Sequence, residues 1–284
     1  MKLLEIATDQ QALQACSDLL QAAFSSTTHH DVQYLQWLYC NNPAGQVVGY
    51  NAWEGDRLIG HYASVPVDLW LDGELRLGLL ALHTAMHPDY RNAGIIYSLT
   101  KKTCKLAAER GYACIYAVAN AASTPIFVKA AGFQLVSQLT AAIGLTRLRP
   151  SWEKALASNR FRRRWTASSA TWRVANPSNP SSLLRCDSST MIFTAHTPFP
   201  LVSAYGLMPM EPPLPHVSGR RKPGLNLFLG LLPGGSCRYP TYLNIPERLK
   251  PSPLNFIYLP LDASAPARLH RDDIILGVHD FDHY

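Results

Sequence analysis

Little in this sequence of 284 residues points to disulfides, metal, membrane or nucleic acid. Its six cysteines, Cys16, Cys40, Cys104, Cys114, Cys186 and Cys237, are scattered, with no C-x-x-C pair and no histidine at metal-ligand spacing. That weighs against both disulfides and zinc. No apolar run reaches membrane-spanning length, and Met1-Lys2-Leu3-Leu4-Glu5 lacks the apolar region and cleavage site of a signal peptide. A soluble, cytoplasmic protein is expected. Charged residues make up only 16% against 47% hydrophobic ones, a globular rather than a disordered balance. The net charge of +6 gathers in Arg160-Phe161-Arg162-Arg163-Arg164 and Arg220-Arg221-Lys222 instead of along one amphipathic face. These runs read as solvated loops or a surface helix, so nucleic acid is not the expected partner.

What is present is a strand, a tight turn and a helix in close succession. Leu77 to Ala85 is an apolar run of buried-strand character, and Ile95 to Arg110 sets Ile95, Leu99, Thr103 and Leu106 on one helical stripe. Between them stands His87-Pro88-Asp89-Tyr90-Arg91-Asn92-Ala93-Gly94-Ile95-Ile96. The first N–H groups of a helix lack intrahelical partners and its dipole is positive there, so the junction favours an anion. Gly94 lets a ligand approach the backbone, and Arg91 adds a planar fork of donors suited to phosphate oxygens. The spacing predicts a pyrophosphate cradle.

The residues before it predict a short strand Leu3 to Ala7 and a helix capped by Asp9 with Leu13, Cys16, Leu20 and Phe24 on one face. After a polar loop to His30, Asp31 begins a second helix through Tyr34, Trp37 and Leu38, stopped by Asn41-Asn42-Pro43. Val47 to Trp53, Leu58 to Leu71 and Leu75 to Met86 read as an antiparallel meander, joined by Glu54-Gly55-Asp56-Arg57 and Asp72-Gly73. Pro66 marks an edge, bulge or break, and Leu135 to Leu148 supplies one or two closing strands.

Arg91-x-x-Gly94-x-Ile96 after His87-Pro88 resembles the acyl-CoA signature of the GNAT N-acetyltransferases. The continuation is similar too: a helix ending near Gly111, a strand Cys114 to Val118, then Asn120, Ser123, a second helix and Lys129-Ala130-Ala131-Gly132-Phe133. The resemblance covers Met1 to about Arg147. It implies a domain over residues 1–148 of α+β or α/β class, a GNAT-like mixed, mostly antiparallel sheet flanked by helices. It also implies acetyl-CoA as co-substrate, with no metal, on a site of Ala85, Met86, Arg91, Asn92, Ala93, Gly94, Ile95, Ile96, Asn120, Ser123 and Phe127. By the same resemblance, backbone N–H groups near Thr84, Ala85 and Met86 meet the thioester carbonyl and the pantetheine.

Amide formation from a thioester needs a neutral amine, a donor to the developing oxyanion and a route for the proton. His83 has an ordinary pKa of roughly 6.5 and stands in an apolar strand, either as a catalytic base or as a hydrogen-bonded core histidine. His61 on the preceding strand can face the same cleft, with Tyr62 pointing the other way. No glutamate lies in the strand, and Val128 occupies the position where many relatives carry an acid tyrosine. Tyr97 is therefore either the general acid or a packed aromatic of the first helical turn. Asn120 suits a pantetheine contact, a helix N-cap, or both.

After Arg149-Pro150 the character changes, and a smaller α+β lobe is expected over residues 149–284. Asn176 to Ser182 and Pro209 to Pro223 read as connections, and Met191 to Thr194, Leu225 to Leu231, Asn255 to Pro260 and Ile274 to Val278 as strands. Trp172-Arg173-Val174-Ala175-Asn176-Pro177 parallels Trp37 to Pro43, which fits either a degenerate second GNAT-like lobe or chance. Asp280 and Asp282 alternate on a C-terminal tail that reads as solvated. The expectation is an N-acetyltransferase acting directly on a primary amine of a small molecule such as an amino sugar, as a monomer or homodimer. A non-catalytic CoA-binding regulator or scaffold, and a transferase of a longer acyl chain, are the alternatives.

Overall fold

The computed structural model describes residues 1–24, 30–90, 93–145, 148, 150–217, 219, 224–237, 241–250 and 252–281. It divides into two compact units: Met1–Val67 with Leu77–Leu135 and Ile257–Ala265, and Asp68–Arg76 with Val136–Phe256 and Pro266–Tyr284. Among the described residues no helix is long and apolar enough to cross a membrane.

The first unit begins with β1 (Lys2–Glu5) and α1 (Gln10–Ala23). The Asp9 carboxylate accepts from the Ala12 N–H at 3.0 Å, satisfying one orphan donor of α1. Leu13, Cys16 and Leu20 are buried as the stripe requires, while Phe24 falls just past the helix as its C-cap. Asp31 caps α2 (Val32–Leu35) in the same way through Tyr34 N, at 2.8 Å. The helix then widens into a π turn over Gln36–Cys40, closed by Asn41 N donating to Gln36 O. Because the turn is wider than the α period, Trp37, Leu38 and Tyr39 are all buried in succession.

The meander follows as β2 (Val48–Glu54), β3 (Arg57–Leu71) and β4 (Glu74–Met86). Asp72 and Gly73 have φ of +49° and +82°, the left-handed pair that a two-residue hairpin needs. Pro66 neither ends nor breaks β3. The β2 ladder stops at Val48 opposite Ser64, so the missing proline N–H is not needed on that side. Next come α3 (Ala93–Glu109), β5 (Cys114–Ala119), α4 (Thr124–Ala131) and β6 (Gln134–Gln138). Gly132, at φ +77°, ends α4. Leu99 and Thr103 of α3 are fully buried, and Leu99 packs with Ile59, Tyr62, Leu79, Ile115, Phe127 and Phe133 in the core. Burial of each such large apolar side chain is worth about 2 kcal/mol.

The second unit runs through β7 (Thr140–Gly144), α5 (Trp152–Ser158), β8 (Phe161–Arg163), α6 (Ala167–Val174), β9 (Ser181–Arg185), β10 (Thr190–His196) and β11 (Val202–Pro209). It continues with β12 (Leu225–Leu231), β13 (Tyr242–Asn244), β14 (Asn255–Pro260) and β15 (Ile274–Gly277). Residues from Ile257 onward in β14 belong to the first unit, where Leu261 N donates to Ala113 O at the root of β5. β9, β10 and β11 are antiparallel neighbours, and β11 lies parallel to β12 from Val202 opposite Leu225 to Tyr205 opposite Phe228. Past that point β12 takes β15 as neighbour, with Gly230 opposite Gly277.

Two expectations are corrected in this unit. The arginine run is no solvated loop or surface helix: Phe161–Arg163 is the strand β8, and Arg163 is buried with its guanidinium 4.0 Å over the Trp165 ring. Arg160 grips both oxygens of Asp72 at 2.6 and 3.0 Å, and Arg162 lies over Trp70. Apolar neighbours therefore cover the stems while aromatic faces and carboxylates take the charge. Nor is Asp280 in a solvated tail. It is buried, accepting from Trp165 Nε1 at 2.8 Å and from Gly277 N at 2.6 Å. Asp282 lies outside the described residues.

Candidate active site

Two features of the first unit carry chemistry. One is the end of β4. Its parallel ladder with β5 consists of Leu79 opposite Ile115 and Leu80 opposite Tyr116, yet β4 runs on to Met86 and β5 to Ala119. Past Leu80 and Tyr116 the two strands part. His87 N donates to Ile59 O on β3, so by the alternation of a strand the N–H groups of Met86 and Thr84 turn to the opposite edge, toward the parting. The α3 N-terminus follows within a few residues. Backbone donors on a diverging edge and a helix N-terminus together suit an amide-bearing arm that ends in phosphates.

The other feature is a cluster of polar rings. His83 lies inside β4 with φ of +34°, a left-handed conformation uncommon for any residue other than glycine. Its Nδ1 is 2.8 Å from the Tyr39 hydroxyl, and its Nε2 is 3.3 Å from the Tyr34 hydroxyl. Tyr39 also reaches His61 Nε2 at 2.8 Å, and His61 Nδ1 reaches Asn51 Oδ1 at 2.6 Å. His61 and Asn51 stand directly opposite each other on β3 and β2. The Asn51 amide donates to Cys16 Sγ at 3.6 Å, and the His30 ring meets the His83 ring edge-on at 4.9 Å.

Burial sets the charge state of this cluster. It pushes the His61 imidazole down to about 3, with His30 as a lesser cause. It drives His83 well below the ordinary histidine range, helped by His30 and His61. Desolvation likewise raises Tyr39 well above the usual phenol, and lifts the Cys16 thiol to about 11. Both imidazoles are therefore neutral, and the hydroxyl and thiol protonated, across the physiological range. Among the described residues no group of His, Cys, Asp and Glu is arranged to hold a metal ion.

Residues 6–136 match the family model of the acetyltransferase (GNAT) domain. This segment is a GNAT acetyltransferase domain. With it, the chain is an acyltransferase. Solved structures agree on the fold. One is a probable N-acyltransferase of unknown function from Enterococcus faecalis, at TM-score 0.61 and 10% identity over 92% of this chain and 72% of that one. A GCN5-related N-acetyltransferase from Anabaena variabilis gives 0.58 and 12% over 92% and 73%. Eis1 from Mycobacterium abscessus gives 0.51 and 13% over 80% and 74%. The coverage carries the likeness of fold beyond the GNAT domain into the second unit. No curated protein matches the chain by sequence.

Within the GNAT domain the anticipated site residues fall in several groups. Arg91 and Asn92 lie outside the described residues. Ala93 opens α3, Gly94 is exposed, and Ile95 and Ile96 are half-buried. The carbonyls of Gly94 and Ile96 already accept from Ser98 and Thr100 hydroxyls. Tyr97 is exposed on the same turn. Thr84 is half-buried, whereas Ala85 and Met86 are buried. Asn120 Oδ1 accepts from Ala122 N, Ser123 N and Ser123 Oγ at 3.0, 2.9 and 3.0 Å, so it caps the turn that starts α4 and holds Ser123 beside it. Phe127 is buried between Tyr62 and Phe133 and belongs to the core. His87 holds the turn before α3, accepting from Arg57 Nη2 at 2.7 Å. Tyr34, Tyr39, Asn51 and Cys16 had no functional signal in the sequence; three strands that each aim one polar side chain inward were the available hint.

Proposed function

We propose that this chain is an acetyl-CoA-dependent N-acetyltransferase that moves the acetyl group directly onto a primary amine of a small molecule, an amino sugar being the first choice. It would work in the cytoplasm as a monomer or homodimer. The observation that carries the reading is the parting of β4 from β5 after Leu80 and Tyr116, just ahead of the α3 N-terminus and with His83 on the parted stretch. Arg91, Asn92, Ala93, Gly94, Ile95 and Ile96 would hold the pyrophosphate, with Ser123 and the Asn120 amide nitrogen beside the pantetheine. Acetyl-CoA supplies the activated acyl group. The chain supplies the rest: the amides of Thr84 and Met86 orient the carbonyl and favour the charge that develops on it, and His83 accepts the proton of the amine. Tyr97 is the candidate acid.

A second reading, a CoA-binding regulator or scaffold, is favoured by Val128, which cannot donate a proton where many relatives carry tyrosine. We read the second unit as a degenerate GNAT-like lobe. Its β9, β10, β11 and parallel β12 repeat the connectivity of β2, β3, β4 and β5. In both, an asparagine before the first strand closes the same turn, Asn42 Oδ1 accepting from Ala44 N and Asn176 Oδ1 from Ser178 N. The test is titration of acetyl-CoA into the wild type and Gly94→Glu, with thiol release followed over a panel of amines. Expected are binding that Gly94→Glu weakens at least about tenfold, through charge repulsion at the helix start, and turnover on small amines. Tight binding with no turnover on any amine supports the scaffold; no binding at all overturns both readings.

A further inference from the structure

The chain Tyr34, His83, Tyr39, His61, Asn51 has a single consistent direction. Asn51 Oδ1 can only accept, so at 2.6 Å His61 Nδ1 must be its donor. A neutral imidazole carries one proton, which leaves His61 Nε2 as a lone pair accepting from the Tyr39 hydroxyl at 2.8 Å. Its one proton spent, Tyr39 accepts from His83 Nδ1 at 2.8 Å. His83 Nε2 is then a lone pair, met by the Tyr34 hydroxyl at 3.3 Å, the longest link of the four. The Asn51 amide group is itself oriented, its nitrogen on Cys16 Sγ at 3.6 Å.

We propose that Asn51, acting through His61 and Tyr39, is a positioning residue that locks His83 in its Nδ1–H tautomer, so that Nε2 is the atom that takes the proton of the amine. The proposal rests on the reading of the chain as an N-acetyltransferase. In the step, the Tyr34 hydroxyl gives up its 3.3 Å contact with Nε2, an N–H bond of the amine breaks as the Nε2–H bond forms, and the electron pair stays on the amine nitrogen. His83 becomes an imidazolium whose Nδ1–H still bonds Tyr39. His61, fully buried, keeps its Nδ1 proton on Asn51 and its Nε2 lone pair on the Tyr39 hydroxyl. Facing the His83 ring are Tyr34 of α2, Tyr39 of the π turn, His61 of β3 through Tyr39, and His30 ahead of α2, with Cys16 of α1 behind. None of these side chains brings a carboxylate that would hold His83 protonated. The one strand residue of β4 with a positive φ is thus the one whose ring meets both tyrosines.

Long-range nitrogen–proton NMR of the histidine-labelled full chain tests this without any activity, with His83→Asn supplying the assignment. At about pH 7 His83 should show a protonated Nδ1 and a bare Nε2, as a neutral imidazole does. Asn51→Leu should populate the other tautomer and lower kcat roughly tenfold with the KM for acetyl-CoA unchanged. A wild-type spectrum with the proton on Nε2 overturns the proposal, since it reverses every bond in the chain. So does an Asn51→Leu protein whose His83 tautomer is unmoved. Neither outcome touches the acetyl-CoA titration on which the broader reading stands or falls.

Discussion

Tyr39→Phe is the sharpest perturbation the structure offers. It deletes one oxygen that bridges two imidazole nitrogens, each 2.8 Å away, in a pocket where Tyr39 and His61 are both fully buried. The two nitrogens cannot bond each other across the space vacated. Moving the His61 proton to Nε2 would break its 2.6 Å bond to Asn51. One oxygen leaves too little room for a replacement water. Each polar atom left without a partner costs about 1–3 kcal/mol, offset in part because the hydroxyl no longer has to be desolvated, so a net loss of roughly 2–4 kcal/mol is expected. The assay is urea unfolding followed by fluorescence, where at a slope of ~2 kcal/mol per molar the midpoint should fall by about 1–2 M. Tyr34→Phe is the control. It removes one link of 3.3 Å and should cost less than ~1 kcal/mol. A Tyr39→Phe protein as stable as the wild type, or one no worse than Tyr34→Phe, would show that the bridge is geometry without energy.

His83→Asn suits the positive φ, since asparagine tolerates that region, and removes the base; kcat should fall at least about a hundredfold with acetyl-CoA affinity unchanged, as read from steady-state kinetics and titration. Acid should destabilise the protein through its buried histidines. Their folded pKa values lie below the unfolded value, so the unfolded chain binds more protons as pH drops below about 6.5, and stability rises with pH through that window. For His61 alone the loss between pH 7 and about 4.5 should be about 3 kcal/mol, checked by thermal unfolding against a His61→Gln variant with a shallower slope. Gly206→Ala would set a methyl 2.2 Å from His279 Nδ1, and the displaced ring should cost about 1–3 kcal/mol by calorimetry without altering acetyl-CoA affinity.

The order of elements in the first unit was legible because each boundary carries a local cause: Asp9 and Asp31 as caps, Asp72-Gly73 as hairpin, Gly132 as helix stop. The inner site was not. Counting back from the hairpin that pairs Glu54 with Arg57 sets Asn51 opposite Gly60. A bulge between Ala52 and Trp53 moves the register by one and brings His61 there instead. Likewise an amphipathic stripe of 3.6-residue period does not select Trp37, Leu38 and Tyr39 together, and it is from the π turn that Tyr39 reaches the two strand histidines. In the second unit, β8 was hidden by its arginines, whose charge is absorbed by tryptophan faces that lie far off in the sequence or beyond the strand end. That Ile257–Ala265 belongs with the first unit is a long-range pairing with no local signature.

The second unit's own diverging pair ends differently. β11 leaves β12 after Tyr205, and the next residue, Gly206, lies against the imidazole of His279, which Gly277 flanks as well. The space beside this diverging edge is taken by a side chain of the protein's own tail. At Gly206 and Gly277 the room is set by the volume of that one ring, so any larger side chain at either position must displace it.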